Sequence, residues 1–115
     1  MRVTSDLFVS ALVRRIFSAG GFAAVGRRGA SEAGAVFLLL RERDGRLTLY
    51  GPAPQSAYEE GRPADRRFQA MLVDRDQEAV DQKLAREGRF DPDFWLVDCE
   101  CARATLEEIA GVTTP

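Results

Sequence analysis

The chain has 115 residues, a formal net charge of −2, and 45% hydrophobic and 30% charged residues. That length suits one domain, residues 1–115, with its own core and no need for metal or disulfide staples. The composition excludes wholesale disorder, and no apolar run approaches the roughly 20 residues of a membrane span. Histidine is absent, which removes Ser-His-Asp and Cys-His nucleophile pairs and every histidine-containing metal motif.

Taken in chain order, residues 6–19 read as a helix. Leu7, Phe8, Ala11, Leu12, Ile16 and Ala19 recur at helical spacing, with Ser10, Arg14 and Ser18 on the opposite face. Thr4 or Ser5 supplies the N-cap and Gly20-Gly21 the stop. Residues 22–28 suit a short strand. Two apolar runs, AVFLLLRER and RLTLYG, flank Asp44-Gly45, which predicts a hairpin with a two-residue type I′ turn. That turn sets Leu40 opposite Leu49 and Arg41 opposite Thr48. Val36, Leu38, Leu40, Leu47 and Leu49 then share one face, and Phe37, Leu39 and Tyr50 the other. With both faces apolar, this end of the hairpin should lie deep in the sheet.

Residues 51–66 carry three prolines, two glycines and many polar groups, a composition that argues against a central strand. A strand over 66–73 follows. Asp74 with Gln77 forms a capping box for a helix over 75–87, with Val80 and Leu84 as its stripe and Gly88 as its stop. FWLVDCEC, residues 94–101, is the last strand: Trp95, Val97, Cys99 and Cys101 share one face, Phe94, Leu96, Asp98 and Glu100 the other. Thr105 and Glu108 make a second capping box, opening a short helix that ends near Gly111. The expected fold is α+β, a mainly antiparallel sheet of about five strands with a central Asp-Gly hairpin, packed by two longer helices and one short C-terminal helix.

Charge divides unevenly along the chain. Residues 1–46 hold eight arginines against four acids, and residues 47–115 eight basic against fourteen acidic groups. Halves of opposite sign can attract within one fold or between two copies, so a homo-oligomer is compatible with the sequence. Asp6 ahead of the first apolar stretch and Arg14-Arg15 behind it do not make a secretion signal, and the cysteines form no disulfide framework, so a cytoplasmic protein is expected.

Several constellations bear on chemistry. Cys99 and Cys101 point the same way on a strand, but two thiolates leave a zinc site short of ligands, so they read as buried small hydrophobes; neither a metal nor a cofactor is expected. Gly21-x-x-x-x-Gly26-Arg27-Arg28 lacks the lysine and hydroxyl of a phosphate-binding loop. Gly26-Arg27-Arg28-Gly29 resembles the GXXG turn of a nucleic-acid-binding KH domain but precedes a strand instead of a helix. Asp98 with Glu100, and Asp91 with Asp93, are paired carboxylates that suit a solvated face or turn. The best candidate is the long polar segment, which gathers Gln55, Ser56, Tyr58, Arg62, Arg66 and Arg67. Its amide, hydroxyl, phenol and guanidinium groups suit recognition of an anion or of a partner's backbone.

No complete catalytic set emerges, so the reading is a non-enzymatic binding or adaptor module acting through 51–67 on a protein or a small anionic ligand, without a membrane partner. The alternative is single-stranded nucleic acid held by Arg27 and Arg28. An enzyme using carboxylate, tyrosine or cysteine chemistry is a third reading.

GPAPQSAY, together with VSALVRR, GGFAAV-RRG, AGAVFLLLRERDG, DRRF and LARE-RFDPDFW, resembles a small alphaproteobacterial family, domain of unknown function 1491. The resemblance spans nearly the whole chain. It implies a compact cytoplasmic protein with no established activity, no assigned catalytic residues and no known cofactor.

Overall fold

A computed structural model describes residues 3–54 and 66–112. Eight elements run α1 (Ser5–Ser18), β1 (Phe22–Arg27), β2 (Val36–Arg41), β3 (Leu47–Pro52), β4 (Phe68–Arg75), α2 (Gln77–Phe90), β5 (Trp95–Glu100) and α3 (Arg103–Ala110). The strands form one sheet in the order β1-β5-β2-β3-β4. Three pairings are antiparallel, and β2 with β5 is parallel. The expected α+β class, with a mainly antiparallel sheet of five strands, two longer helices and a short last one, is what forms.

The apolar doubling of the hairpin explains why β2 is central. Val36, Leu38 and Leu40 turn toward α1 and α3, where they meet Val9, Leu12, Ile16, Leu106, Tyr50, Trp95 and Val97. Phe37 and Leu39 turn the other way, against Leu47, Leu49, Phe94 and the Val80–Leu84 stripe of α2. Helices thus cover both faces of β2. Complete burial of Leu38 and Leu40 stabilises the fold by about 1.5–3 kcal/mol each.

The turn differs from expectation. Leu39 faces Leu49 and Leu40 faces Thr48, one residue off the predicted register. The loop holds three residues, closed by Gly45 N–H to the Glu42 carbonyl at 3.0 Å and by Glu42 N–H to the Arg46 carbonyl at 3.0 Å. Only Gly45 has positive φ here, at 88°, as in a type I turn followed by a left-handed glycine; type I′ would demand positive φ at Asp44 as well. A slip of one residue reverses every side chain of β3. Tyr50 therefore joins Leu38 and Leu40, while Leu47 and Leu49 join Phe37 and Leu39.

The helices carry smaller corrections. Thr4 caps α1 by accepting from Leu7 N–H at 3.2 Å. The buried stripe of α1 is Ser5, Val9, Leu12 and Ile16, whereas Leu7, Ala11 and Ala19 face solvent. Ser5 fixes that rotation: its hydroxyl donates to the Gly34 carbonyl at 2.6 Å inside the fold. In α2 the cap is Asp76, accepting from Ala79 N–H at 3.0 Å, because Asp74 remains in β4. Gly88 lies within α2, which runs on to Phe90. α3 begins at Arg103 with no side-chain cap, so Thr105 and Glu108 form no capping box; it ends at Gly111, as expected.

Candidate functional site

The segment Ala30–Ala35, between β1 and β2, has no regular structure but is tied down at both ends. Ser5 and Asp6 donate their backbone N–H to the Glu32 and Ser31 carbonyls, at 3.1 and 2.9 Å. Trp95 donates its indole N–H to the Ala30 carbonyl at 2.7 Å, and Ala30 N–H donates to the Asp93 carbonyl at 2.9 Å. Asp91 closes the arrangement. One carboxylate oxygen accepts from Ala35 N–H at 3.3 Å and the other from Asp93 N–H at 3.1 Å. Gly34 is required here by space: a Cβ would come 2.5 Å from the Asp93 carbonyl and 3.0 Å from the Ala30 backbone.

This rigid wall forms one side of a cavity of about 220 Å³. Pro52, Arg66, Arg67 and Phe68 form the other side, with Val36 and Asp91 between. Pro52 and Arg66–Phe68 flank the polar segment singled out from the sequence. Arg66 donates to the Val3 carbonyl at 3.2 Å and lies over the Phe8 ring, 5.2 Å from its centroid. The Arg67 carbonyl accepts from Ala53 N–H at 2.9 Å, and its guanidinium lies where a Cβ on Gly111, at the end of α3, would meet it at 3.3 Å. The cavity is therefore lined by two arginines and by the apolar side chains of Val36, Pro52 and Phe68. It holds one carboxylate, whose oxygens already accept backbone N–H groups.

Of the candidate binding residues, Arg66 and Arg67 come together at this cavity. Gln55, Ser56, Tyr58 and Arg62 lie outside the described residues. Arg27 and Arg28 sit elsewhere. The Arg27 guanidinium covers the Phe94 ring at 4.0 Å and donates to the Pro92 carbonyl. The Arg28 guanidinium lies 5.1 Å from the Trp95 ring centroid and 3.6 Å from Asp6. Phosphate contact by either would exchange these contacts within the chain for contacts to the ligand, as it would for Arg66.

Residues 3–106 match the family model described as a protein of unknown function, DUF1491. The chain belongs to the DUF1491 family. The solution structure of protein Atu0922 from A. tumefaciens is similar, with 48% identity and a TM-score of 0.84, over 100% of this chain and 98% of that one. A crystal structure of a DUF1491 family protein from Caulobacter crescentus CB15 shares 30% identity at a TM-score of 0.73, over 99% of this chain and 100% of that one. An NMR structure of a DUF1491 family protein from the same organism gives 28% identity and 0.75, over 99% of each chain. No curated protein matches the chain.

Elsewhere in this DUF1491 chain, Cys99 is buried and Cys101 half-buried, both as free thiols. Burial pushes the Cys99 thiol up to about 12, with the neighbouring Cys101 adding to the effect. Burial also raises Cys101, offset by an N–H bond from Leu106. Asp98 is raised by burial and held back by Arg41. Among the described residues, no three Asp, Glu, Cys or His side chains gather as a metal site, and no helix is long and apolar enough to cross a membrane.

Sequence reading missed a polar cluster at the opposite end of the sheet. Arg103 forks onto Glu42 through Nε and Nη2, both at 3.2 Å, and Nη2 also reaches Thr48 and Asp74. Asp74 has φ 53°. Nearby, Tyr50 donates to Glu107 at 2.8 Å, and burial together with that bond raises the phenol above its ordinary range. This cluster knits α3 to the β2–β3 hairpin and β4. A larger groove of about 990 Å³ opens beside it, past Arg41, Arg43 and Cys101. The only available sequence signal was the placing of charged residues at strand ends, which does not say which of them meet.

Proposed function

We infer that this DUF1491 chain is a binding module without catalytic chemistry of its own, and that it holds a small anionic ligand at the cavity flanked by Arg66 and Arg67. One observation carries the reading: the two arginines that close the polar segment converge with a pinned backbone wall on a cavity of about 220 Å³. Guanidinium groups match carboxylate and phosphate oxygens in pairs. The floor of Val36, Pro52 and Phe68 excludes water from one side of such a contact and strengthens it. Among the described lining residues there is no hydroxyl, thiol or amine nucleophile, and Asp91 is occupied in orienting the wall. That combination favours holding over transforming.

The free thiols fit a reducing compartment, and the cytoplasm is the proposed location.

Isothermal titration with inorganic phosphate and with citrate tests the reading, comparing the wild type, Arg67→Ala and Arg27→Ala. A hydrogen bond to a charged group contributes about 1.5–3 kcal/mol, so Arg67→Ala should weaken binding roughly 10- to 100-fold while Arg27→Ala binds as the wild type does. Equal binding by the wild type and a folded Arg67→Ala variant, or no heat with either anion, would remove the assignment.

A further inference from the structure

We propose that β1 is a self-association edge, at which two copies of this chain pair their β1 strands antiparallel about Ala24 and join their sheets across a two-fold axis.

β1 ends the strand order, and among the described residues nothing pairs with its outer side. The other edge, β4, is handled differently. Its first residue bridges to Val112, and it ends in the charges of Asp74 and Arg75. Open edges are usually blunted by lysine, proline, an inward charge or a bulge; Phe22–Gly26 contains none of the first three, and its one bulge falls at its end, between Val25 and Arg27. The first charge, Arg27, folds back over Phe94 and the Pro92 carbonyl. Apolar side chains lie open along this seam: Phe22 is 49% exposed, Val25 44% and Phe17 49%. Phe17 and Phe22 meet edge to face, with centroids 5.5 Å apart.

The segment is its own complement. Read antiparallel about Ala24, Phe22 faces Gly26 of the second copy and Ala23 faces Val25, so each flanking pair sets a large residue against a small one. The faces agree as well. Phe22 and Ala24 lie across from Glu100 and Asp98, and Ala23 and Val25 across from Cys99 and Val97. A Cβ on Gly26 would meet Asp98, which places Gly26 on the Phe22 face.

The register shift between Val25 and Arg27 is a bulge that bends the strand away and ends the shared ladder. Five paired residues and three half-open apolar side chains fall short of the roughly 800 Å² per partner of a stable interface. The dimer is therefore weak.

Sedimentation equilibrium of the full chain from micromolar to millimolar concentration is the test, with Val25→Lys as the variant and Trp95 fluorescence confirming its fold. The wild type should move from monomer toward dimer mass as concentration rises, and Val25→Lys should stay monomeric throughout. On dilution, the backbone amide resonances that shift should be those of residues 22–26. A wild type still monomeric at millimolar concentration, a Val25→Lys dimer of undiminished strength, or dilution shifts confined to β4 would each overturn the proposal.

Discussion

Substituting Gly34→Ala should destabilise the fold more than Gly45→Ala, although Gly45 is the glycine with φ at 88°. A Cβ at Gly45 meets nothing within 4 Å, so its cost is the backbone strain alone, about 1–2 kcal/mol. At Gly34 the new carbon comes 2.5 Å from the Asp93 carbonyl and 3.0 Å from Ala30. Restoring an ordinary separation of about 3.5 Å moves one backbone segment by roughly 1 Å. Three hydrogen bonds stand in the way: Ser5 Oγ to the Gly34 carbonyl at 2.6 Å, Ala30 N–H to Asp93 at 2.9 Å, and Trp95 N–H to Ala35 at 2.7 Å. Each contributes about 0.5–1.5 kcal/mol, so losing two or three costs about 2–4 kcal/mol. Urea unfolding followed by the fluorescence of the single, buried Trp95 reads this directly. With a slope of about 1–3 kcal/mol/M, the midpoint for Gly34→Ala should fall by roughly 1–2 M, and for Gly45→Ala by less. A Gly34→Ala midpoint equal to that of the wild type would refute the rigid wall, and with it the shape of the cavity.

Tyr50→Phe removes the bond to Glu107 but leaves a half-exposed carboxylate that water can reach, so unfolding should cost about 1–2 kcal/mol less than for the wild type; an unchanged urea midpoint would show that the phenol is idle. The raised Cys99 thiol keeps its proton in the folded chain when the unfolded thiol has lost its own. Its contribution is therefore complete below about pH 9 and is lost as pH rises toward 12, at up to about 1.4 kcal/mol per pH unit. Cys99→Ala should flatten that alkaline decline, and a variant declining as steeply as the wild type would assign it to other groups. In the native state, a thiol-reactive dye at pH 8 should modify Cys101 before Cys99, as mass spectrometry of the labelled peptides would show; equal labelling would contradict the burial of Cys99.

The most legible elements were those in which local pattern and packing agree. β5 alternates cleanly, and Trp95, Val97 and Cys99 fall on one face as read. β2 is apolar on both sides and sits where both sides are covered. The failures came where two local solutions fit the same residues. Asp-Gly serves a two-residue or a three-residue loop, and only packing chose the second, placing Tyr50 where it can reach Glu107. Asp74 and Asp76 both stand ahead of a helical stretch. Arg103 claims Asp74, which leaves Asp76 to cap α2. In α1, a buried serine held by the Gly34 carbonyl outranked Leu7, which no hydropathy pattern signals. The cavity draws on four segments, 33–36, 52, 66–68 and 91, and its assembly depends on the Ala30–Ala35 backbone bonds, which involve no sequence motif. Only its two arginines were read beforehand as binding residues, because they close an unusually polar, proline-rich stretch; Asp91 was read as part of a solvated pair.

The central claim is that an anion sits between Arg66, Arg67 and the 33–36 wall. Its most direct test is a titration of ¹⁵N-labelled protein with inorganic phosphate and with citrate, followed residue by residue. Saturable shifts of the Gly34, Ala35, Arg67 and Phe68 amides, with those of β1 and α2 unmoved, are the predicted result. Saturable shifts centred on Arg27 and Arg28, or none at any residue, would contradict it.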